Sequence, residues 1–311
     1  MPVRVATLFF YLLLMFGYSV AATEPTTPVV NPAQSDAAAA IPNFEAGPPW
    51  LSDYGDAVNM AQRDRKMLLI LFLDPRAPGR ATQFRDKVLG HLELQAHLSN
   101  YVLLQLATDA TIETAEGDCV LLRTEPLSEM LGLDGIAIAD YSDPGSDMYE
   151  SVISVFPFLN GRVYDLEQTR VILTLPPGTL TQRTLIYAVR THPEKPRSAH
   201  GRLHPNLGRE ARWHSGLMAR IRRSGHHHWE TRFHRINGQI PGGLTATEVA
   251  AESWPGQSLL AAAIECVRCW RLSSGHWRAV RASHPYYGYD MKRGSNGVWY
   301  ATGIFGARNR Y

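Results

Sequence analysis

Three consecutive imidazoles, His226-His227-His228, a carboxylate, Glu248, and a further imidazole, His276, are the side chains of this 311-residue chain whose types suit joint chemistry. Neutral imidazole nitrogens hold Zn²⁺ at about 2.0–2.1 Å, and one carboxylate plus a water would complete an open four-coordinate site. Without a metal the same groups make a general acid and base, with Glu248 orienting a ring. The bland alternative gives Gly275-His276 to a helix-capping turn and leaves the His triplet idle at the surface. Cys266-Val-Arg-Cys269 matches Cys-x-x-Cys, but it falls inside an Ala-rich helical stretch, away from the exposed helix-start amides that activate a thiol. Buried packing or a local disulfide is the expectation there. Cys119, in Glu116-Gly-Asp-Cys119, is read as structural or incidental.

The elements that must position these groups can be traced from periodicity. A helix is predicted over Leu207–Arg223, with Ala211, Ser215, Met218 and Ala219 along one side, Asn206 as its cap and Gly225 ending it just before His226. Ile240-Pro-Gly-Gly243 is a loop that leads to Thr245–Ala251, which carries Glu248. A second helix is predicted over Gly256–Leu272, and β-like segments over Tyr286–Met291 and Val298–Ile304. Upstream, a helix over Asp53–Arg65 precedes Met67–Leu73, a continuous apolar run that suits a buried strand of an α/β sheet. A helix over Thr82–Leu98, strands over Tyr101–Ala107, Gly135–Asp140 and Ser151–Phe158, and a helix over Leu180–Arg190 follow.

This upstream order, with Trp50-Leu-Ser-Asp-Tyr-Gly-Asp-Ala57, Lys66 and Asn100-Tyr-Val-Leu-Leu-Gln105, resembles the thioredoxin-like fold across residues 50–192. That family places a Cys-x-x-Cys after its first core strand and a cis-proline opposite. Here the two places read Asp74-Pro-Arg-Ala-Pro-Gly-Arg80 and Gly135-Ile-Ala-Ile138. The resemblance therefore implies a redox-inactive binding or scaffolding module.

Residues 206–311 resemble the CAP superfamily, the cysteine-rich secretory, antigen 5 and pathogenesis-related proteins. The matching pieces are Arg209-Glu-Ala211, His226, Trp229-x-x-Arg232, Glu248, Trp270-Arg-Leu-Ser-Ser-Gly-His276, Tyr287-Gly-Tyr-Asp-Met291 and Val298-Trp-Tyr300. The resemblance implies an α-β-α sandwich with a cleft in which two His and two Glu face one another, the two His binding a divalent metal in some members. Carried over residue by residue, it makes Glu248, His276 and His226 ligand-binding, with His226 and His276 as the metal ligands and Zn²⁺ as the cofactor. His227 and His228 compete with His226 for its place. The family's second Glu has no counterpart in Arg271-Leu-Ser-Ser274, and Val249 replaces an Asn.

The organisation expected is α/β throughout: a thioredoxin-like domain followed by an α-β-α sandwich. Residues 1–22, with a basic start, an apolar run over Val5–Met15 and small residues at Ser19-Val-Ala-Ala22, read as a signal peptide. That run is shorter than the roughly 20 residues of a spanning helix. Residues 23–49, rich in Pro, Thr and Ala, read as a disordered linker. The Pro-containing stretch 193–205 reads as a second linker. Residues 1–200 carry 15 Lys/Arg against 23 Asp/Glu, and residues 201–311 carry 16 against 6. A basic second domain suits an anionic cell-envelope component; export and the lack of a reader motif exclude nucleic acid. The expectation is a secreted or periplasmic binding protein with no stable membrane segment. The alternatives are a metal-assisted hydrolase and thiol-disulfide exchange.

Overall fold

The computed structural model describes residues 48–114 and 117–308. The expected signal peptide and all but the last two residues of the expected 23–49 linker lie outside the described residues. The fold is α/β. In the first half, strands β1 (Trp50–Leu51), β2 (Met67–Leu73), β3 (Tyr101–Ala107), β6 (Gly135–Asp140) and β7 (Ser151–Pro157) form one sheet in the order β1-β3-β2-β6-β7. The first three are mutually parallel, and β6 and β7 are antiparallel to their neighbours. Between them in sequence, β4 (Thr111–Thr114) and β5 (Gly117–Val120) pair as a separate hairpin.

Helix α1 (Tyr54–Asp64) starts where Asp53 accepts the Asp56 N–H at 2.8 Å, and it buries Ala57, Val58 and Ala61 against one sheet face. The single helix expected over Thr82–Leu98 is two helices, α2 (Gly79–Phe84) and α3 (Leu92–Leu98), joined by a π-helical turn over Arg85–Leu89. Gly90 breaks it: a Cβ there would stand 2.5 Å from the Asp86 carbonyl oxygen, so the chain turns where a side chain cannot fit. Helix α4 (Leu166–Leu173), which periodicity did not single out, is followed by α5 (Leu180–Arg190); both start in reciprocal capping boxes.

The second half is a sheet of β8 (Arg202–Leu203), β9 (Leu244–Glu252), β10 (Tyr286–Arg293) and β11 (Trp299–Arg308) in the order β8-β10-β11-β9, between two layers of helices. Strand alternation sorts its side chains. Val249, Ala251, Tyr289, Ala301 and Phe305 pack with α8 (Leu259–Leu272) and α9 (Ser274–Arg281), whereas Ala246, Ala250, Tyr300 and Ile304 face α6 (Pro205–Ile221). Helix α7 (Trp229–Asn237) runs along the α6 side. At Gly288 the α6 backbone comes so close that a Cβ would lie 2.2 Å from the Leu207 carbonyl carbon.

Several expected boundaries shift. Helix α6 is capped by His204 with Pro205 at its first position, where a fixed φ costs nothing, and Asn206 instead donates to the Gln239 carbonyl. It ends on Arg222 in the left-handed region (φ 55°), three residues before Gly225. Helix α8 begins at Leu259, capped by Ser258, and not at Gly256. The segment read as the 193–205 linker is packed: Ser198 and Ala199 are fully buried, the Ser198 hydroxyl lies 2.7 Å from that of Tyr289, and β8 pairs with β10. Helix α5 packs on α8 and β10, where the Thr181 hydroxyl donates to Asp290 at 2.6 Å. Among the described residues no helix is long and apolar enough to cross a membrane.

Candidate functional site

Helix α6 buries Leu207, Ala211, His214, Ser215 and Met218, so a histidine lies on its apolar stripe. His214 is fully buried and faces the sheet, with Nδ1 3.1 Å from Thr302 Oγ1 and 3.4 Å from Glu248 Oε2. Glu248 and Thr302 are on the α6 side of β9 and β11 by the same alternation that puts Val249 and Ala301 on the other.

After α6 ends, Gly225 (φ 153°) turns the chain and delivers His226 to the sheet edge. The Glu248 carboxylate, whose side chain is 1 % exposed, has Oε1 3.0 Å from His226 Nδ1 and forms an ion pair through Oε2 with Arg232 Nη2 at 2.6 Å. Arg232, from α7, is buried; its guanidinium lies 5.5 Å from the ring centres of both Trp213 and Trp229. From the opposite layer, the first turn of α9 brings His276 Nε2 to 3.2 Å from His226 Nε2. Helix α9 is itself pinned by Trp277, whose indole N–H donates to Glu194 at 2.9 Å. His276 is thus a helical residue in its own right, and the capping-turn alternative does not hold.

The charges are arranged to keep the carboxylate ionised and the inner imidazole neutral. Burial, the largest influence on Glu248, opposes ionisation, but the His226 hydrogen bond, His214 and Arg232 together outweigh it and hold the carboxyl below its ordinary range. Desolvation, with Arg232 and the neighbouring rings, pushes His214 down to about 4 against the pull of Glu248. His276 is lowered by desolvation and by His226, so it too favours the neutral, ligating form. With a carboxylate accepting at Nδ1, His226 carries its proton there and turns an Nε2 lone pair toward His276.

This geometry fits a divalent metal in one respect and not in another. Two tetrahedral ligands at about 2.0–2.1 Å from Zn²⁺ stand about 3.3–3.4 Å apart, close to the separation of the two Nε2 atoms. Glu248, however, is behind the His226 ring at Nδ1, where it orients a ligand and does not complete the coordination shell. Among the described residues no group of three or more His, Cys, Asp or Glu is arranged to hold a metal ion.

The structure brings His226, Glu248 and His276 together and leaves the other two imidazoles out. His227 Nε2 turns back to 3.2 Å from the Arg223 carbonyl, and His228, in the left-handed region, starts α7. Cys266 and Cys269 are free thiols, the first fully buried and raised well above its ordinary value by desolvation; the local disulfide alternative is not formed. Cys119 is a free thiol on β5. Sequence reasoning missed His214 and Thr302, and it had Arg232 only as part of a motif. His214 could have been found, since it shares the i, i+4, i+7 stripe with Leu207 and Ala211, where a polar residue needs a partner.

No protein-family profile matches the chain, and no curated protein matches it. Among solved structures it is similar to an outer surface protein from Borrelia burgdorferi, at 18% identity over 35% of this chain and 78% of that one, with a TM-score of 0.28. A likeness of that size carries no functional argument.

Proposed function

We propose that the chain is an exported binding protein, secreted or periplasmic, whose residues 206–311 form a CAP-like unit with a cleft that takes a divalent cation of the Zn²⁺ kind. The observation that carries this is the opposition of the two Nε2 atoms at 3.2 Å, one of them tautomerically fixed by Glu248. His226 and His276 hold the ion; Glu248 orients His226, and Arg232 and His214 keep Glu248 in place and charged. Bound there, the ion supplies a Lewis-acid centre open to an anionic ligand. The excess of 16 Lys/Arg over 6 Asp/Glu in residues 201–311 favours an anionic cell-envelope component as that ligand. Two protein ligands, one fewer than the usual catalytic zinc set, favour binding over hydrolysis.

Residues 50–192 serve this unit as a scaffold. Their five-stranded mixed sheet supports that reading, and the place where the thioredoxin-like fold keeps its thiols holds Arg80, whose Nε donates to the buried Asp134 at 2.8 Å. Calorimetric titration of the full chain with Zn²⁺ tests the proposal. Binding should be abolished by His276→Ala and kept by the Cys266→Ser/Cys269→Ser double variant. Loss in the cysteine variant with retention in His276→Ala would refute it.

A further inference from the structure

The first half carries a cavity of its own, far from the histidine cleft in sequence. Helix α1 covers only part of its sheet face. Over β6 and β7 the cover is the β4–β5 hairpin and two 3₁₀ helices, Leu121–Arg123 and Glu125–Met130, whose short turns cannot interdigitate with the sheet as a long helix does. A space of about 170 Å³ remains beneath them. That is close to the 150 Å³ at which an apolar cavity accepts a benzene ring.

The walls specify the occupant. Ile70, Ile112, Leu121, Leu127 and Val152 make an apolar barrel for a small hydrocarbon or aromatic body. Tyr54 and Tyr141 add ring faces, their hydroxyls near enough to influence one another. Among the described residues of the lining, Glu150 alone is charged. Its backbone is in the left-handed region at φ 59°, and the Gln62 amide donates to its Oε1 at 3.0 Å, which leaves the second carboxylate oxygen to accept from something else. Aromatic faces and one carboxylate beside an apolar pocket recognise a cation attached to an apolar body.

We infer that this cavity is a binding site for a small hydrophobic primary amine in its ammonium form, the apolar body inside the barrel and the ammonium on Glu150. The site is separate from the metal cleft and does not depend on it.

Benzylammonium and its neutral counterpart benzyl alcohol, titrated into the full chain and followed by methyl resonances of Ile70, Ile112 and Val152, test this directly. A charge-assisted hydrogen bond in a partly desolvated pocket should make the ammonium bind about tenfold tighter than the alcohol. Glu150→Gln, which keeps the acceptor for Gln62, should bring the two ligands to within about twofold of each other while alcohol binding persists. Ile112→Phe, a cavity-filling change in the hairpin cover, should abolish both. Equal affinity for the two probes in the parent protein, a preference that survives Glu150→Gln, binding that survives Ile112→Phe, or no movement of these methyls would each overturn the inference.

Discussion

The end of β2 and the cleft beside α6 both gather charged side chains from distant segments, yet they end in different states. At the end of β2, the Arg80 guanidinium and the buried Asp134 carboxylate satisfy one another. Both groups there are spent on the fold. In the cleft, Arg232 and His214 are buried against Glu248, but the chain of contacts continues outward to His226, whose side chain is 44 % exposed, and to His276. A buried charge network becomes a candidate site when its last member has a lone pair left to offer solvent. The network at the end of β2 lacks such a member; the cleft beside α6 retains one.

The comparison can be broken first at its strongest links. Arg232→Met leaves Glu248 buried without its principal counter-charge and should cost about 3–5 kcal/mol in urea unfolding, while Arg80→Met, whose side chain is 32 % exposed, should cost about 1–3 kcal/mol. A reversed order would show that the cleft network is not the more tightly committed of the two.

Acid sharpens the same contrast. His214 titrates at about 4 in the folded chain and near 6.5 when unfolded, so the unfolded state takes up the proton first. Stability is therefore full above about pH 6.5 and falls by about 3 kcal/mol on the way to about pH 4. Glu248, held below its ordinary range, adds a further loss once the pH drops below about 4.3. His214→Gln should flatten the slope between about pH 6.5 and 4, and an unchanged slope would mean that the buried imidazole is not its source. A smaller effect is expected at the other partner of the same ring nitrogen: Thr302→Val removes the contacts to His214 and Ser215 and should cost about 1–2 kcal/mol by thermal unfolding, with no change in the first half's hydrogen-exchange protection. The smallest is none at all. The full chain should match the blank in insulin reduction, because Cys266 and Cys269 lie within α8 and the β2 end has no thiol; turnover lost in Cys119→Ser would contradict that.

What could be read in advance follows from how local each signal was. Met67–Leu73, Tyr101–Ala107 and Leu180–Arg190 were legible to the residue, since a buried strand is a continuous apolar run and an amphipathic helix repeats its pattern over several turns. His226, Glu248 and His276 were legible as chemistry, and the choice of His226 from the triplet agrees with its placement against Glu248. Helix α9 was not, because Gly275-His276 reads equally well as a capping turn, and the helix is held by Trp277 reaching Glu194, a contact 83 residues away. The packing of 193–205 was equally hidden: Ser198 looks like linker composition until Tyr289 supplies its partner. Arg232 was hidden as well, because an arginine is rarely buried and its two tryptophans and carboxylate come from three separate elements.

The most direct measurement is an imidazole ¹⁵N NMR titration of the full chain with Zn²⁺. If the cleft is the metal site, the Nε2 resonances of His226 and His276 move together and His226 is the Nδ1–H tautomer before and after addition. The buried His214 then stays where it is. Movement of His227 or His228 in place of that pair, or saturation with both Nε2 resonances unmoved, would contradict the assignment of the cleft as a metal-binding site.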